Sequence, residues 1–330
     1  MIPTVAPNAS ATVQLGALRE DIEQRLAALV PASGPEAGVA AAMHAAVMTP
    51  GKRLRPLLML ATGQALGCRS PGLLDLACAI EMVHCASLVL DDMPAMDDAR
   101  LRRGQPTVHL RFGEDVAMLA AVALVSESCR VAALAPGLRP AVRVRIVQAL
   151  CETIGPAGLV HGQYRDLREG DGAGAWSARE VAEVNDQKTG LLFAAAMDIA
   201  ARAAGAGAAV PALRRAALAI GQAFQLRDDL DDLATPDHPV TEDPMQDTGK
   251  RTLVALAGAA AVRQAIDAQL AKALQELRTG LGNAPSLLPQ LLALAFPESA
   301  VLRLPAGAPL AAEPPSAGPR ARVASQGLAA

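Results

Sequence analysis

Apolar residues recur at helical spacing through most stretches of this chain that lack proline and glycine. Leu18, Ile22, Leu26 and Leu29 follow one another at intervals of three and four until Pro31, which puts them on one stripe of a helix. A second helix is expected after Gly34 and Pro35. The segment Pro50-Gly51-Lys52-Arg53-Leu54-Arg55-Pro56 then breaks the pattern, and Pro56 suits the first turn of the helix that follows it. From Leu73 to Leu90 a long apolar helix runs without Gly or Pro, and Glu81, His84, Leu88 and Asp91 share one of its faces. Pro94 stops or kinks this helix just beyond Asp92, so Asp97 and Asp98 fall in a turn or loop.

Glu114 to Leu150 reads as Ala-rich packed helices joined by a turn at Pro136 and Gly137. His161 to Asp166 puts polar groups on an otherwise apolar helix, and Asp186-Gln187-Lys188-Thr189-Gly190 interrupts another. Three segments are expected: a loose leader over residues 1–15, a single all-helical domain over 16–296, and a Pro- and Ala-rich flexible tail over 297–330.

Composition supports one large helical domain. The chain of 330 residues is 52% hydrophobic, and aromatic residues make up only 2%, which favours helix over sheet. A net charge of −3, with no aromatics interleaved among the basic clusters, argues against a nucleic-acid partner. Cys68, Cys78, Cys85, Cys129 and Cys151 are odd in number and lie in apolar surroundings. This suits reduced, buried thiols and a cytosolic location better than disulfides or a zinc site. No apolar run approaches the 18 or more residues of a transmembrane segment; the longest, Val116 to Val125, is little more than half that. The N-terminus lacks the basic and apolar regions of a signal peptide.

The charge that remains is gathered in a few places. Asp91 to Gly104 reads DDMPAMDDARLRRG, four carboxylates followed by two adjacent arginines. A polyanion held through divalent metal explains both signs, because carboxylates bind the cation and arginines bind the anion's oxygens. Gln225, Asp228, Asp229 and Asp232 form a second acidic stripe on a helix, which would repel itself unless cations neutralised it. Lys52 and Arg55 lie near a helix N-terminus, where positive charge calls for an anion nearby. Lys188, deep in an apolar run, is costly to bury without an anionic partner. Lys250 lies in a polar loop from which it could reach an anion held by the second stripe. The two acidic stretches are expected to face each other across one cavity.

With these residues in view, the chain resembles the trans-isoprenyl diphosphate synthases, the polyprenyl synthetases. It is most similar to bacterial enzymes that make geranylgeranyl diphosphate for carotenoid pathways. The resemblance rests on GKRLRP at 51–56, both aspartate motifs, RRG at 102–104, KTG at 188–190 and FQLRDD at 224–229, in that order. It implies the all-α isoprenoid synthase type I fold, antiparallel helices around a central catalytic cavity, and a homodimer. It also implies condensation of isopentenyl diphosphate with an allylic diphosphate, with three Mg²⁺ per active site. By the resemblance, Asp91, Asp97 and Asp228 hold Mg²⁺, supported by Asp92 and Asp232, with Asp229 in the catalytic set. Arg102, Lys188, Thr189, Gln225 and Lys250 hold the allylic diphosphate; Lys52, Arg55, His84 and Arg103 hold isopentenyl diphosphate.

In this family a wall residue about one turn before the first aspartate motif limits product length. Ala86 and Ser87 are the candidates, and both are small, which points to geranylgeranyl over farnesyl diphosphate. The chain departs from the family pattern at Pro50, Glu242 and Met245, where glycine, lysine and asparagine are usual, and its C-terminal segment is unlike the usual last helix. A class I terpene cyclase and a non-catalytic synthase subunit are the alternatives. The first usually carries one aspartate-rich motif and an aromatic-lined cavity; the second typically loses an aspartate motif, whereas both are intact here.

Overall fold

The computed structural model describes residues 9–33, 38–169, 178–233 and 258–303. Helices α1 (Ala9–Leu29), α2 (Val39–Met48), α3 (Leu54–Ala65) and α4 (Gly72–Asp91) lead to a two-stranded hairpin, β1 (Leu101–Arg102) and β2 (Gln105–Pro106). Then come α5 (Val108–Phe112), α6 (Glu114–Leu134), α7 (Pro140–Ile154), α8 (Leu159–Glu169) and α9 (Ala178–Asn185). A π-helical turn, Asp186–Gly190, runs straight into α10 (Leu191–Ala203), followed by a 3₁₀ turn (Gly207–Ala209) and α11 (Val210–Leu233). The described chain closes with α12 (Ala259–Leu281), α13 (Leu288–Ala295) and α14 (Ala300–Arg303).

The centre of the bundle is α10. Every residue from Leu192 to Ala201 is buried, against α3, α4, α7 and α11. Its Ala194-Ala195-Ala196 and Ala200-Ala201 pairs let neighbouring axes approach closely, while Leu192, Phe193, Met197 and Ile199 fill the space between them. Each large side chain buried this way contributes roughly 1.5–3 kcal/mol relative to exposure. Around this centre α4 packs on α3 and α6, and α11 packs along α12.

Several boundaries differ from the sequence expectations. Helix α1 begins at Ala9, inside the stretch expected as leader, because Ala11 and Leu15 are buried against the core. Beyond Phe296 the chain still packs: Ser299 donates to Asp267 and Leu302 is buried. Only Cys78 and Cys85 are buried thiols; Cys68 and Cys129 are half-buried and Cys151, on the outer face of α7, is exposed. Gly72–Asp91 and Glu114–Leu134 are long and apolar enough, by length and composition, to cross a membrane. They reach that length by tolerating the few charged residues that bound the shorter runs read from the sequence. Most of Gly72–Asp91 is buried inside the bundle, whereas Glu114–Leu134 leaves Met118, Leu119 and Val122 exposed.

One buried ion pair joins the two helices that carry the basic segment and the first acidic stretch. Arg53, in the left-handed conformation at φ 50° and 3% exposed, donates from Nη1 to Glu81 Oε1 at 2.8 Å. Its Nη2 donates to the carbonyls of Val47 and Thr49 at 2.8 and 3.1 Å, which satisfies the free C-terminal carbonyls of α2. Glu81 therefore turns to Arg53 and not to the polar face of His84 and Asp91 on which the sequence placed it. Removing one partner of such a pair leaves a buried charge alone. Glu81→Ala is expected to cost about 3–5 kcal/mol in chemical denaturation; a loss below about 1 kcal/mol, the range of exposed pairs, would show that this junction does not hold α2, α3 and α4 together.

Candidate active site

The first acidic stretch folds back on the end of α4. The Asp97 N–H donates to the Asp91 carbonyl at 2.9 Å and the Ala99 N–H to the Asp92 carbonyl at 3.2 Å, so the loop returns Asp97 beside Asp91. Asp98 takes a positive φ of 49° in this turn. The hairpin follows, with Arg103 and Gly104 at its tip at φ 53° and 73°. Positive φ at both central positions is the signature of a type I′ turn, and a glycine in second place accommodates it.

The pleat then sends the adjacent arginines in different directions. Arg102 donates from Nε and Nη2 to Asp92 Oδ1 at 2.9 and 2.6 Å, and Arg103 donates from Nη1 to the Pro50 carbonyl at 3.1 Å. Asp92 is only 3% exposed. Burial raises its pKa, and Arg102 opposes that shift.

Opposite Asp91 stands Lys188, in the π turn. Burial opposes the charge on Lys188, but Asp166, Asp91 and Asp97 outweigh it and raise its pKa. Its Nζ donates to Asp166 Oδ2 at 2.7 Å. Two close approaches seat this turn. A Cβ on Gly162 of α8 would lie 2.6 Å from the Lys188 nitrogen, and one on Gly221 of α11 would lie 2.8 Å from Gly190 Cα. Insertion of one extra residue per turn at a functional position is the usual use of a π-bulge; here it turns Lys188 toward Asp91 and Thr189 toward α11. Thr189 donates to Gln225 Oε1 at 3.2 Å, and Gln225 Nε2 donates to the buried Asp229 at 3.0 Å.

The other side of the second acidic stretch meets the basic segment. Burial pushes Asp228 up to about 6, with Arg227 and Lys52 pulling against it. Lys52 is lowered by its own burial and by Arg227. Burial also lowers Arg55, to about 10, with Glu81 and Asp228 opposing it, so Arg55 stays charged at neutral pH. Its Nε is buried without a hydrogen-bond partner. Its Nη1 lies 3.2 Å from His84 Nε2, and burial with the neighbouring Arg55 holds His84 far below its usual range, as a neutral ring.

These groups form a ring: charge interactions relate Asp91 to Lys188 and Asp228 to Lys52 and Arg55, and hydrogen bonds join Thr189 through Gln225 to Asp229 and Arg55 to His84, which shares a helical face with Asp91. Ser87 lies on the stripe of His84 and Asp91 and is half-buried, its hydroxyl on the His84 carbonyl at 2.9 Å. Ala86, at 1% exposure, points into packed core. Asp232 falls in the last turn of α11. Lys250, Glu242 and Met245 lie outside the described residues.

A family model, "Polyprenyl synthetase", matches residues 36–284. The chain belongs to this family. Among curated relatives it is 49% identical over 263 residues to a geranylgeranyl diphosphate synthase of Pantoea ananas, covering 79% of this chain and 85% of the relative. It is 46% identical over 255 residues to a geranylgeranyl diphosphate synthase of Pseudescherichia vulneris, covering 76% and 81%. Among solved structures, an FPP/GFPP synthase from Zymomonas mobilis superposes with a TM-score of 0.76 at 30% identity, covering 87% of this chain and 97% of that one.

In this member of the family, sequence reasoning missed two residues at the site. Asp166 was visible only as part of a polar run on α8, and no spacing linked it to Lys188. Arg227 was quoted inside FQLRDD but given no role. A divalent cation fits the donors present. Among the described residues no three His, Cys, Asp or Glu groups could enclose an ion alone, and a hard cation that keeps water and phosphate oxygens needs only one or two carboxylates per ion. Asp91, pushed up to about 6 chiefly by burial and then by Asp97, and Asp228 are desolvated carboxylates short of positive charge. Because their folded pKa values exceed the unfolded ones, each binds more protons in the folded state, and stability falls as pH rises from about 4 through 6. Protons and cation compete for the same oxygens. The rise in Tm produced by Mg²⁺ with inorganic diphosphate is therefore expected to be larger at about pH 7.5 than at about pH 5.5; an equal rise at both, by differential scanning fluorimetry, would separate these carboxylates from the bound cation.

Proposed function

We propose that this chain is a geranylgeranyl diphosphate synthase, which joins isopentenyl diphosphate to dimethylallyl, geranyl and farnesyl diphosphates and works as a homodimer in the cytosol. The observation that carries the reading is the ring of opposed charges, two acidic stretches alternating with Lys188 and with Lys52 and Arg55. Such a ring matches two diphosphates and the cations between them, and the 49% identical relative carries the same name.

Asp91, Asp97 and Asp228, with Asp92 and Asp232 in support, would hold Mg²⁺, three ions by family resemblance. When bound, Mg²⁺ neutralises charge on the diphosphate oxygens as the allylic carbon–oxygen bond breaks. Lys188 and Thr189 bind the same leaving diphosphate, together with Arg102, Gln225 and Lys250. Asp166 keeps Lys188 charged and aimed, so its contact strengthens as negative charge builds. Asp229 orients Gln225. Lys52, Arg55 and Arg103 bind the diphosphate of isopentenyl diphosphate, and neutral His84 offers it a hydrogen bond without adding a charge. The buried walls of α4 and α10 exclude water from the allylic cation. The proton lost after carbon–carbon bond formation goes to the released diphosphate. The exposed Met118, Leu119 and Val122 stripe of α6 gives a second copy an apolar face to cover.

Purified protein with Mg²⁺, labelled isopentenyl diphosphate and each primer is expected to yield geranylgeranyl diphosphate. No incorporation with any primer defeats the reading, a cyclic hydrocarbon would favour the cyclase alternative, and farnesyl diphosphate as end product would shorten the assignment. The family's chain-length position falls on Ala86 or Ser87, and the half-burial of Ser87 beside the fully packed Ala86 supports Ser87. Ser87→Phe, on the stripe facing the site, is expected to move the product from geranylgeranyl to farnesyl diphosphate. Ala86→Phe, forced into packed core, should chiefly destabilise, by about 1–3 kcal/mol; product sizing and thermal melts of both variants decide between them.

A further inference from the structure

The chain has four phenylalanines, and three of them form one column beside the site with cations between and around them. The Arg55 guanidinium lies over Phe193, 4.5 Å from the ring centroid. Phe193 tilts against Phe224 at 5.8 Å and 46°. Arg227 covers Phe224 at 4.5 Å and also lies over Phe296 at 5.4 Å, and Lys52 approaches Phe224 at 5.9 Å. Phe296 follows α13 and is 3% exposed.

Arg227 is the joint of this column. Its Nη1 donates to the Ala295 carbonyl, the last residue of α13. Its Nη2 donates to Asp228 Oδ1 at 3.0 Å, and its Nε is 3.6 Å from Asp231 Oδ2, within ion-pair range but too long for a hydrogen bond. One planar cation thus holds two rings, a helix-terminal carbonyl and the first aspartate of the second acidic stretch. Arginine can do this because its flat guanidinium stacks on its faces while its N–H groups bond around its edge.

We propose that Arg227 is a positioning residue for Asp228, and that Phe296 and the end of α13 complete its seat, so that the Leu288–Phe296 segment belongs to the substrate-binding apparatus. The proposal rests on the diphosphate reading above. Arg227 supplies a fixed point for Asp228 by tying this part of α11 to the end of α13. Phe224, shared by Lys52 and Arg227, links this seat to the basic segment on α3.

The test uses the full chain and two variants. Phe296→Leu keeps apolar volume and removes the ring face. Arg227→Lys keeps the charge but cannot stack between two rings while reaching both Ala295 and Asp228. Affinity for inorganic diphosphate in the presence of Mg²⁺ is measured by isothermal titration calorimetry, alongside Tm and turnover. Each variant is expected to bind Mg²⁺-diphosphate about three- to tenfold more weakly, the scale of one lost cation–π contact, at temperatures where both remain fully folded. Unchanged affinity with a lowered Tm would overturn the proposal and leave Phe296 as packing alone. A wild-type protein that binds no Mg²⁺-diphosphate would instead overturn the diphosphate reading, and with it this proposal.

Discussion

Charge taken out of water must sit beside its opposite, and in this Ala-rich bundle that requirement sets the geometry around the site. Three pairs satisfy it internally: Arg53 with Glu81, Arg102 with Asp92, and Lys188 with Asp166. Each crosses between separate chain segments, so neutralising a charge also fixes where α2, α3, α4, the hairpin, α8 and the π turn stand. Other groups are compensated only in part. Arg55 keeps a buried nitrogen without a partner, and Asp91 and Asp228 carry raised pKa values. The Arg53–Glu81 pair belongs to the frame alone, whereas Arg102 and Lys188 would also serve the diphosphate of the proposed reaction, beside the underpaired Arg55, Asp91 and Asp228.

Backbone shape delivers these side chains as much as side-chain chemistry does. The π turn can lie between α8 and α11 only because Gly162 and Gly221 bring no Cβ to those contacts. Within it Lys188 reaches Asp166 on α8 and Thr189 reaches Gln225 on α11. At the hairpin the positive φ of Arg103 and Gly104 lets two arginines adjacent in sequence reach Asp92 and the Pro50 carbonyl.

The fold was legible because helical periodicity is a local property. The face of α4 bearing His84 and Asp91, the break at Pro94 and the interruption at 186–190 could all be read from spacing. Much of the site was legible too, because carboxylates and lysines stand out in a chain so poor in charge. Long-range pairing was not legible. Spacing alone does not tell Arg53 from Arg55, which only the family resemblance separated; one is locked to Glu81 in the frame and the other lies over Phe193, with Arg53 in a left-handed turn. Asp166 escaped for the same reason, since Lys188 lies on another element, and Arg227 because Ala295 and Phe296 lie at the end of α13. The leader expected over residues 1–15 gives way to helix from Ala9, because Ala- and Thr-rich sequence is compatible with helix once Ala11 and Leu15 find a core to enter.

The central helix also limits how this enzyme could diversify. From Leu192 to Ala201 each side chain of α10 is enclosed by four neighbouring helices, so a larger residue there would have to displace packed atoms on several sides at once. The stripe of α4 through His84, Ser87 and Leu88 is only half enclosed, so a bulkier group there would displace fewer packed atoms. Substitution is therefore absorbed more readily along this stripe of α4 than anywhere on the enclosed stretch of α10.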